Sequence, residues 1–165
     1  MSLVDALLPE FDHEMTTTRK LLERVPEEHF DWKPHIKSTS LGGLATHLAG
    51  LPNMGKIALT QAELDIGSAA PRPPASSRAE LLKTFDQHVA EVRGILTEKT
   101  DGELMAPWTL KREGHTMFSM PKASVWRSFF LNHLIHHRGQ LSVYLRLHDV
   151  PVPSIYGPSA DEGGF

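Results

Sequence analysis

The sequence predicts an all-α protein, a four-helix bundle with a short extended or hairpin segment before the last helix. Two observations carry that expectation: four long stretches place apolar residues at three-to-four spacing, and the connections between them are mostly long. A third bounds it, because 165 residues suffice for one domain with a real core, taken as residues 1–165, and not comfortably for two.

The first helix is expected over about residues 9–24. Leu7, Phe11, Met15, Thr18, Leu22 and Val25 recur on one face, and Pro26 bars continuation. Residues 26–40 hold two prolines and no sustained period, so they read as a long loop. Ser40 is the expected N-cap of the second helix, with Leu41, Leu44, Leu48 and Leu51 on its stripe. Pro52 removes a backbone donor inside that pattern and is expected to kink or end the helix before it resumes over residues 56–66. Residues 67–77, rich in proline, serine and alanine, form a linker. Ser77-Arg78-Ala79-Glu80 has the form of a capping box and opens a third helix of about 20 residues, with Leu81, Leu82, Phe85, Val89, Val92 and Leu96 inward. Between residues 101 and 121 the period changes, and two short strands turning at Glu113-Gly114 are expected. The last helix runs from near Pro121 to about His148, where Pro151 and Pro153 follow. The tail after residue 153 is polar and glycine-rich, a surface strap expected to fray at its end.

Composition narrows the function. A formal net charge of −3 and a pI of about 6.3 argue against a nucleic-acid partner, which calls for a surplus of Lys and Arg on one face. With no cysteine, disulfides, thiolate metal sites and Cys nucleophiles are excluded. The N-terminus has no basic segment before an apolar run, and no apolar stretch approaches the ~20 residues that span a bilayer. A soluble cytoplasmic protein without a membrane partner is the expectation.

The ten histidines are an unusual number for this length, and a chain without thiolates must bind a transition metal through imidazole and carboxylate. Trp126, Phe130, His133, His137, Leu141 and Tyr144 follow one another at helical spacing. Residues four apart share a face, so His133 and His137 can reach one ion. Two hydrogen-bonded core histidines without metal are the plainer alternative, but each neutral imidazole would then need its own partner. His47, between Leu44 and Leu51, also points inward. Together the three would make a His₃ set with an open coordination position, the ligand count of a catalytic site. His136 competes with His137, since it makes an i, i+3 pair with His133. His13, His29, His35, His88, His115 and His148 show no such pairing and read as surface or ordinary structural residues. Gly139 permits close helix approach, and Gln140, one turn beyond the pair, is placed to bond a ligand or substrate.

These residues carry a resemblance. Asn132-His133-Leu134-Ile135-His136-His137-Arg138-Gly139-Gln140 is similar to the last-helix motif of the DinB/YfiT-like superfamily. Ser40-Leu41-Gly42-Gly43-Leu44-Ala45-Thr46-His47-Leu48-Ala49 resembles its second-helix signature, and Leu21 to Pro26 with Phe30-Asp31-Trp32-Lys33-Pro34 resembles its first-helix exit. The resemblance implies an up-down-down-up bundle with a divalent transition metal, typically nickel or zinc, on His47, His133 and His137, and frequent homodimers. It also implies metal-dependent chemistry on a small-molecule substrate. Known members include transferases and isomerases that use a low-molecular-weight thiol, and hydrolysis is equally compatible. No Asp or Glu lies within a turn of the last-helix histidines to act as general base, which suits thiol chemistry. A non-catalytic metal-binding bundle serving a stress response is the alternative, and a metal-free bundle with a polar core is a third.

Overall fold

Ser2 starts the first helix earlier than its apolar period suggests. Its hydroxyl accepts from the Asp5 amide while the Asp5 carboxylate accepts from the Ser2 amide, a reciprocal cap that opens α1 at Leu3–Leu22. Pro9 lies inside α1 rather than at its start. The structure, a computed structural model, describes residues 2–68 and 73–163.

After a 3₁₀ turn at Glu27–His29, the loop returns to the next helix, where the amides of Leu41 and Gly42 donate to the carbonyls of Trp32 and Phe30. Ser40 caps α2, Leu41–Gly50, as expected. Pro52 does not interrupt the chain for several residues. It occupies the first position of α3, Pro52–Thr60, where its missing N–H has no helical acceptor in any case.

The expected helical continuation to residue 66 is not formed. The chain turns extended at Gln61 and pairs residues Glu63–Asp65 as strand β1. Ile66–Ser68 is a second 3₁₀ turn. Of the 67–77 linker, residues 69–72 lie outside the described part. At its far end the Ala75 amide donates to the Thr46 hydroxyl at 2.8 Å. Ser77 caps α4, Arg78–Thr97, yet the capping box is displaced: the Glu80 carboxylate bonds the Ser76 amide and hydroxyl.

A short helix α5, Asp101–Met105, opens on its own capping box of Thr100 and Glu103. Then comes the expected hairpin, β2 at Pro107–Arg112 and β3 at His115–Pro121, antiparallel, with a register shift at Leu110/Lys111. Its turn has φ of 51° at Glu113 and 79° at Gly114, the paired left-handed conformation of a two-residue hairpin loop. The Asp65 carboxylate accepts from both turn amides, and β1 runs parallel to β2, completing a sheet in the order β1-β2-β3. The last helical stretch is α6, Lys122–Val125, a π-helical segment, Trp126–Leu131, and α7, Asn132–Arg146.

The fold is therefore mostly helical but not a four-helix bundle alone. Local apolar period cannot register β1, which exists because β2 offers it a partner edge. The main core gathers Phe11, Leu22, Leu48, Phe85, Trp126 and Leu141 from the long helices. A smaller apolar cluster of Ala58, Trp108, Leu110 and Val125 holds the sheet against α3 and α6. The tail is a strap as expected, with Arg24 and Arg146 paired to Glu162 and Asp161; residues 164–165 lie outside the described part. Among the described residues no helix is long and apolar enough to cross a membrane.

Gly55 shows how tightly α3 meets the π-helical segment. A Cβ there would lie 2.9 Å from the buried Phe130 ring and 3.2 Å from Trp126. Gly55→Val is expected to destabilise by about 1–3 kcal/mol through overpacking. Gly94→Ala, with nothing within 4 Å of its Cβ, is expected to stabilise by up to about 1 kcal/mol. Urea midpoints of the two variants check the contrast.

Candidate metal centre

The π-helical segment decides what the last helix presents. An uninterrupted α-helix continuing the face of Trp126 and Phe130 would bury His133 and His137 next. The wider π turn takes up one more residue. The buried series after Phe130 and Leu131 becomes Leu134, Arg138, Leu141 and Leu145. His133 and His137 consequently stand beside the core stripe rather than in it, each half-buried. Tyr144 moves to the same flank.

Across from them α2 presents His47, which stands exposed beside the clefts rather than turned into the bundle as its spacing suggests. The structure brings the three histidines together: one ring nitrogen from each lies within 4.8 Å of the other two. His47 Nε2 is 3.3 Å from His133 Nε2, and the His47 ring centroid is 4.5 Å from that of His137. Two nitrogens bound to one tetrahedral zinc at ~2.0–2.1 Å stand roughly 3.3 Å apart, so this edge has the span of a shared ion. His136 is exposed and does not join the set, although its ring lies 4.9 Å from that of His137. His13 is exposed on α1, outside the set.

Gln140 takes a part that sequence spacing left open. Its Oε1 lies 2.7 Å from His137 Nδ1. With that oxygen as acceptor, Nδ1 carries the proton and Nε2 keeps its lone pair for the centre, the usual orientation of a metal-binding imidazole.

Electrostatics keeps the cluster neutral. Burial, and then the imidazoles of His137 and His133, hold His47 down to a pKa of about 4. Burial lowers His133, helped by His137 and His136 and opposed by a hydrogen bond to the Phe129 backbone. Burial also lowers His137, against the bond to Gln140. The sign of the pH effect follows. Unfolded histidines take up protons near pH 6.5 while the folded cluster does not, so stability falls as pH drops from about 6.5 towards 4 and is level above. Chelated protein is expected to show this loss in urea unfolding, and His47→Asn is expected to flatten it.

Two clefts open on the cluster. One, of about 390 Å³, is lined by Gly43, Gly50, Leu51, Asn53, Met54 and Pro74 together with His47. The other, of about 220 Å³, is lined by Ser38, Thr39, Leu44, Gln140 and Tyr144 with His47 and His137. The loop wall is fixed to α7: Trp32 meets Tyr144 edge-on at 5.4 Å, and the Tyr144 hydroxyl donates to the Thr39 carbonyl at 3.3 Å. His29 and His148, which sequence spacing left unrelated, stack at 4.1 Å beside Trp32.

Sequence reasoning missed Arg138. It is 1% exposed and pairs with Glu14, 4% exposed, at 2.6 Å, and it lies 5.1 Å from the Tyr156 ring centre. The signal was there in phase only: once the π turn shifts the face, position 138 falls in the core.

Comparison with known proteins agrees with this architecture. A family model described as the DinB family matches residues 1–163. The chain is 28% identical over 163 residues to the uncharacterized protein YrdA of Bacillus subtilis (strain 168), covering 96% of this chain and 91% of that one. Among solved structures it is similar to a DinB-like protein of Bacillus cereus ATCC 10987, with a TM-score of 0.73 at 22% identity over 92% of this chain and 97% of the other. A DinB-like protein of Bacillus subtilis, YjoA, gives 0.67 at 17% identity over 88% and 95%. At these identities the structures speak for the fold alone.

Proposed function

The chain belongs to the DinB family, and from that premise we propose that it is a divalent-metal-dependent enzyme acting on a small molecule, with His47, His133 and His137 as the metal ligands. The observation that carries the reading is the convergence of three neutral imidazoles at a place where two clefts meet. An all-imidazole set suits zinc, nickel, copper or iron, and of these the family resemblance favours nickel or zinc. Bound there, it would supply Lewis-acid polarisation and lower the pKa of a water or thiol toward neutrality. In the same reading, the long helices run up-down-down-up, with α2 and α3 as the divided second member.

The chain's own residues orient and exclude. Gln140 holds the His137 ring, and Leu51 and Met54 keep one side of the centre apolar. No Asp or Glu lines either cleft among the described residues, so no carboxylate is placed as general base. That absence favours transfer of a low-molecular-weight thiol, whose proton is removed without a protein base, over hydrolysis.

The test is a thiol-depletion assay of nickel- and zinc-loaded protein with several thiols and a panel of small electrophiles, beside an ester hydrolysis assay. Turnover that disappears in His137→Ala supports the proposal. No turnover in either assay would favour a metal-binding protein without catalysis.

A further inference from the structure

Gln140 has two ends, and the metal centre uses one of them. Its Oε1 accepts from His137 Nδ1 at 2.7 Å, the bond that leaves His137 Nε2 for an ion. A carboxamide carries its acceptor and its donors on opposite branches. With the oxygen on the ring, the nitrogen faces away from it and offers two N–H donors and no acceptor. The residue is exposed and lines the smaller cleft with Ser38, Thr39, Leu44 and Tyr144. His47 and His137 line the same cleft of about 220 Å³, so a ligand that reaches the centre through it lies against this amide. The other polar groups there are less committed to one role. Tyr144 gives its proton to the Thr39 carbonyl at 3.3 Å, and the Ser38 and Thr39 hydroxyls can turn to donate or accept. The Gln140 nitrogen, by contrast, is a donor whose direction its own oxygen sets.

Resting on the metal-dependent reading above, we propose that Gln140 is also the specificity residue of the site: its amide nitrogen donates to a carbonyl or carboxylate oxygen of the substrate, beside the group that takes the open coordination position. One side chain then serves both ion and substrate. With Nε2 on a cation, His137 Nδ1–H becomes a stronger donor. The Gln140 amide is polarised through its oxygen, and its N–H groups donate more strongly in turn. A substrate with an alkyl group in place of that oxygen leaves the donor unpaired and binds more weakly.

The test titrates zinc-loaded protein by calorimetry with two neutral thiols of the same shape, mercaptoacetamide and isobutanethiol. The readout is the ratio of their dissociation constants in the unaltered chain, in Gln140→Glu and in Gln140→Met. Glutamate keeps an oxygen for His137 and lacks the amide donors. Gln140→Glu is therefore expected to retain its zinc while the preference for mercaptoacetamide falls about three- to tenfold. Gln140→Met lacks both ends and is expected to show the same fall at saturating zinc. An unchanged ratio in either variant overturns the proposal, since a Gln140 that acts only through His137 alters both thiols alike. Mercaptoacetate, titrated against the same reference, separates the two sources of the oxygen. A preference above that of the amide, lost in Gln140→Met, assigns a carboxylate, and one below it assigns a neutral carbonyl. Failure of the metal reading shows separately, as zinc content unchanged in His137→Ala.

Discussion

Replacing Arg138 by Met is expected to destabilise the protein by about 3–5 kcal/mol. The guanidinium is 1% exposed and Nη1 lies 2.6 Å from the Glu14 carboxylate, while also donating to the Glu14 carbonyl at 3.2 Å and the Thr18 hydroxyl at 3.3 Å. Tyr156 completes the group, its hydroxyl donating to Glu14 Oε1 at 2.8 Å. Removing the cation leaves a carboxylate that is 4% exposed with a single hydroxyl for company. The loss is thus the stranding of a buried charge more than the absence of an attraction. Glu14→Gln strands the Arg138 guanidinium in turn, which cannot shed its charge, so a loss of the same order is expected even though the amide can still accept from Tyr156. The double variant Glu14→Gln/Arg138→Met should be less damaged than the two losses summed, because neither charge is then stranded. Urea unfolding of the four proteins closes the cycle. Additive losses would mean that the pair is not coupled. A loss of this size corresponds to a melting temperature lower by roughly 10 °C for a chain of this length.

That ion pair also explains why the site was only partly legible in the sequence. His133 and His137 are four residues apart on any helix, so their shared direction follows from period alone. Their depth does not. It depends on the π turn at Trp126–Leu131, which moves the buried face from residues 133 and 137 to 134 and 138. Nothing in residue type marks a π turn, and the result is a charged residue in the core and two histidines at its edge. The same shift leaves the histidines half-open, which a centre that must admit a second molecule requires. The meeting of His47 with the pair is a tertiary fact, made by α2 and α7 sharing the core around Leu44, Leu48 and Leu141, and on the sequence alone only the resemblance to a family supplied it.

The fold divides along similar lines. The hairpin was legible because Glu113-Gly114 is a local signal for positive φ between two extended runs. β1 was not, because Glu63–Asp65 has neither alternation nor length and is held by pairing with β2 and by the Asp65 carboxylate on the distant turn. The helix α1 starts ahead of the expected residue 9 because the Ser2 and Asp5 cap opens it and Pro9 is accommodated inside. Caps are short-range and readable when sought, whereas strand partners are not.

Substituting a histidine of the centre separates metal binding from folding, and here the second large effect is expected. Protein purified without added metal should carry one divalent ion per chain, and His47→Ala, His133→Ala and His137→Ala should each lose it. An outer partner that orients a ligand is worth about 10–100-fold in affinity, so Gln140→Ala should weaken binding by that factor and keep the ion at high metal. Loss of a ligand itself should exceed it. Stability gives an independent reading. A ligand at 1,000 times its Kd stabilises the folded state by about 4 kcal/mol, so zinc should raise the unfolding free energy of the unaltered chain by that order and leave His137→Ala unmoved. Without metal the order reverses. The three imidazoles are partly desolvated and crowd one another, with His47 held down to a pKa of about 4 by partial burial and by its two neighbours. Removing one relieves that crowding, so chelated His137→Ala should be as stable as the chelated parent, or more so below pH 6. A merely structural histidine would show the opposite, a loss of stability in the chelated protein and no change in metal content. A site that is less stable empty than its own knock-out is one arranged around something it binds.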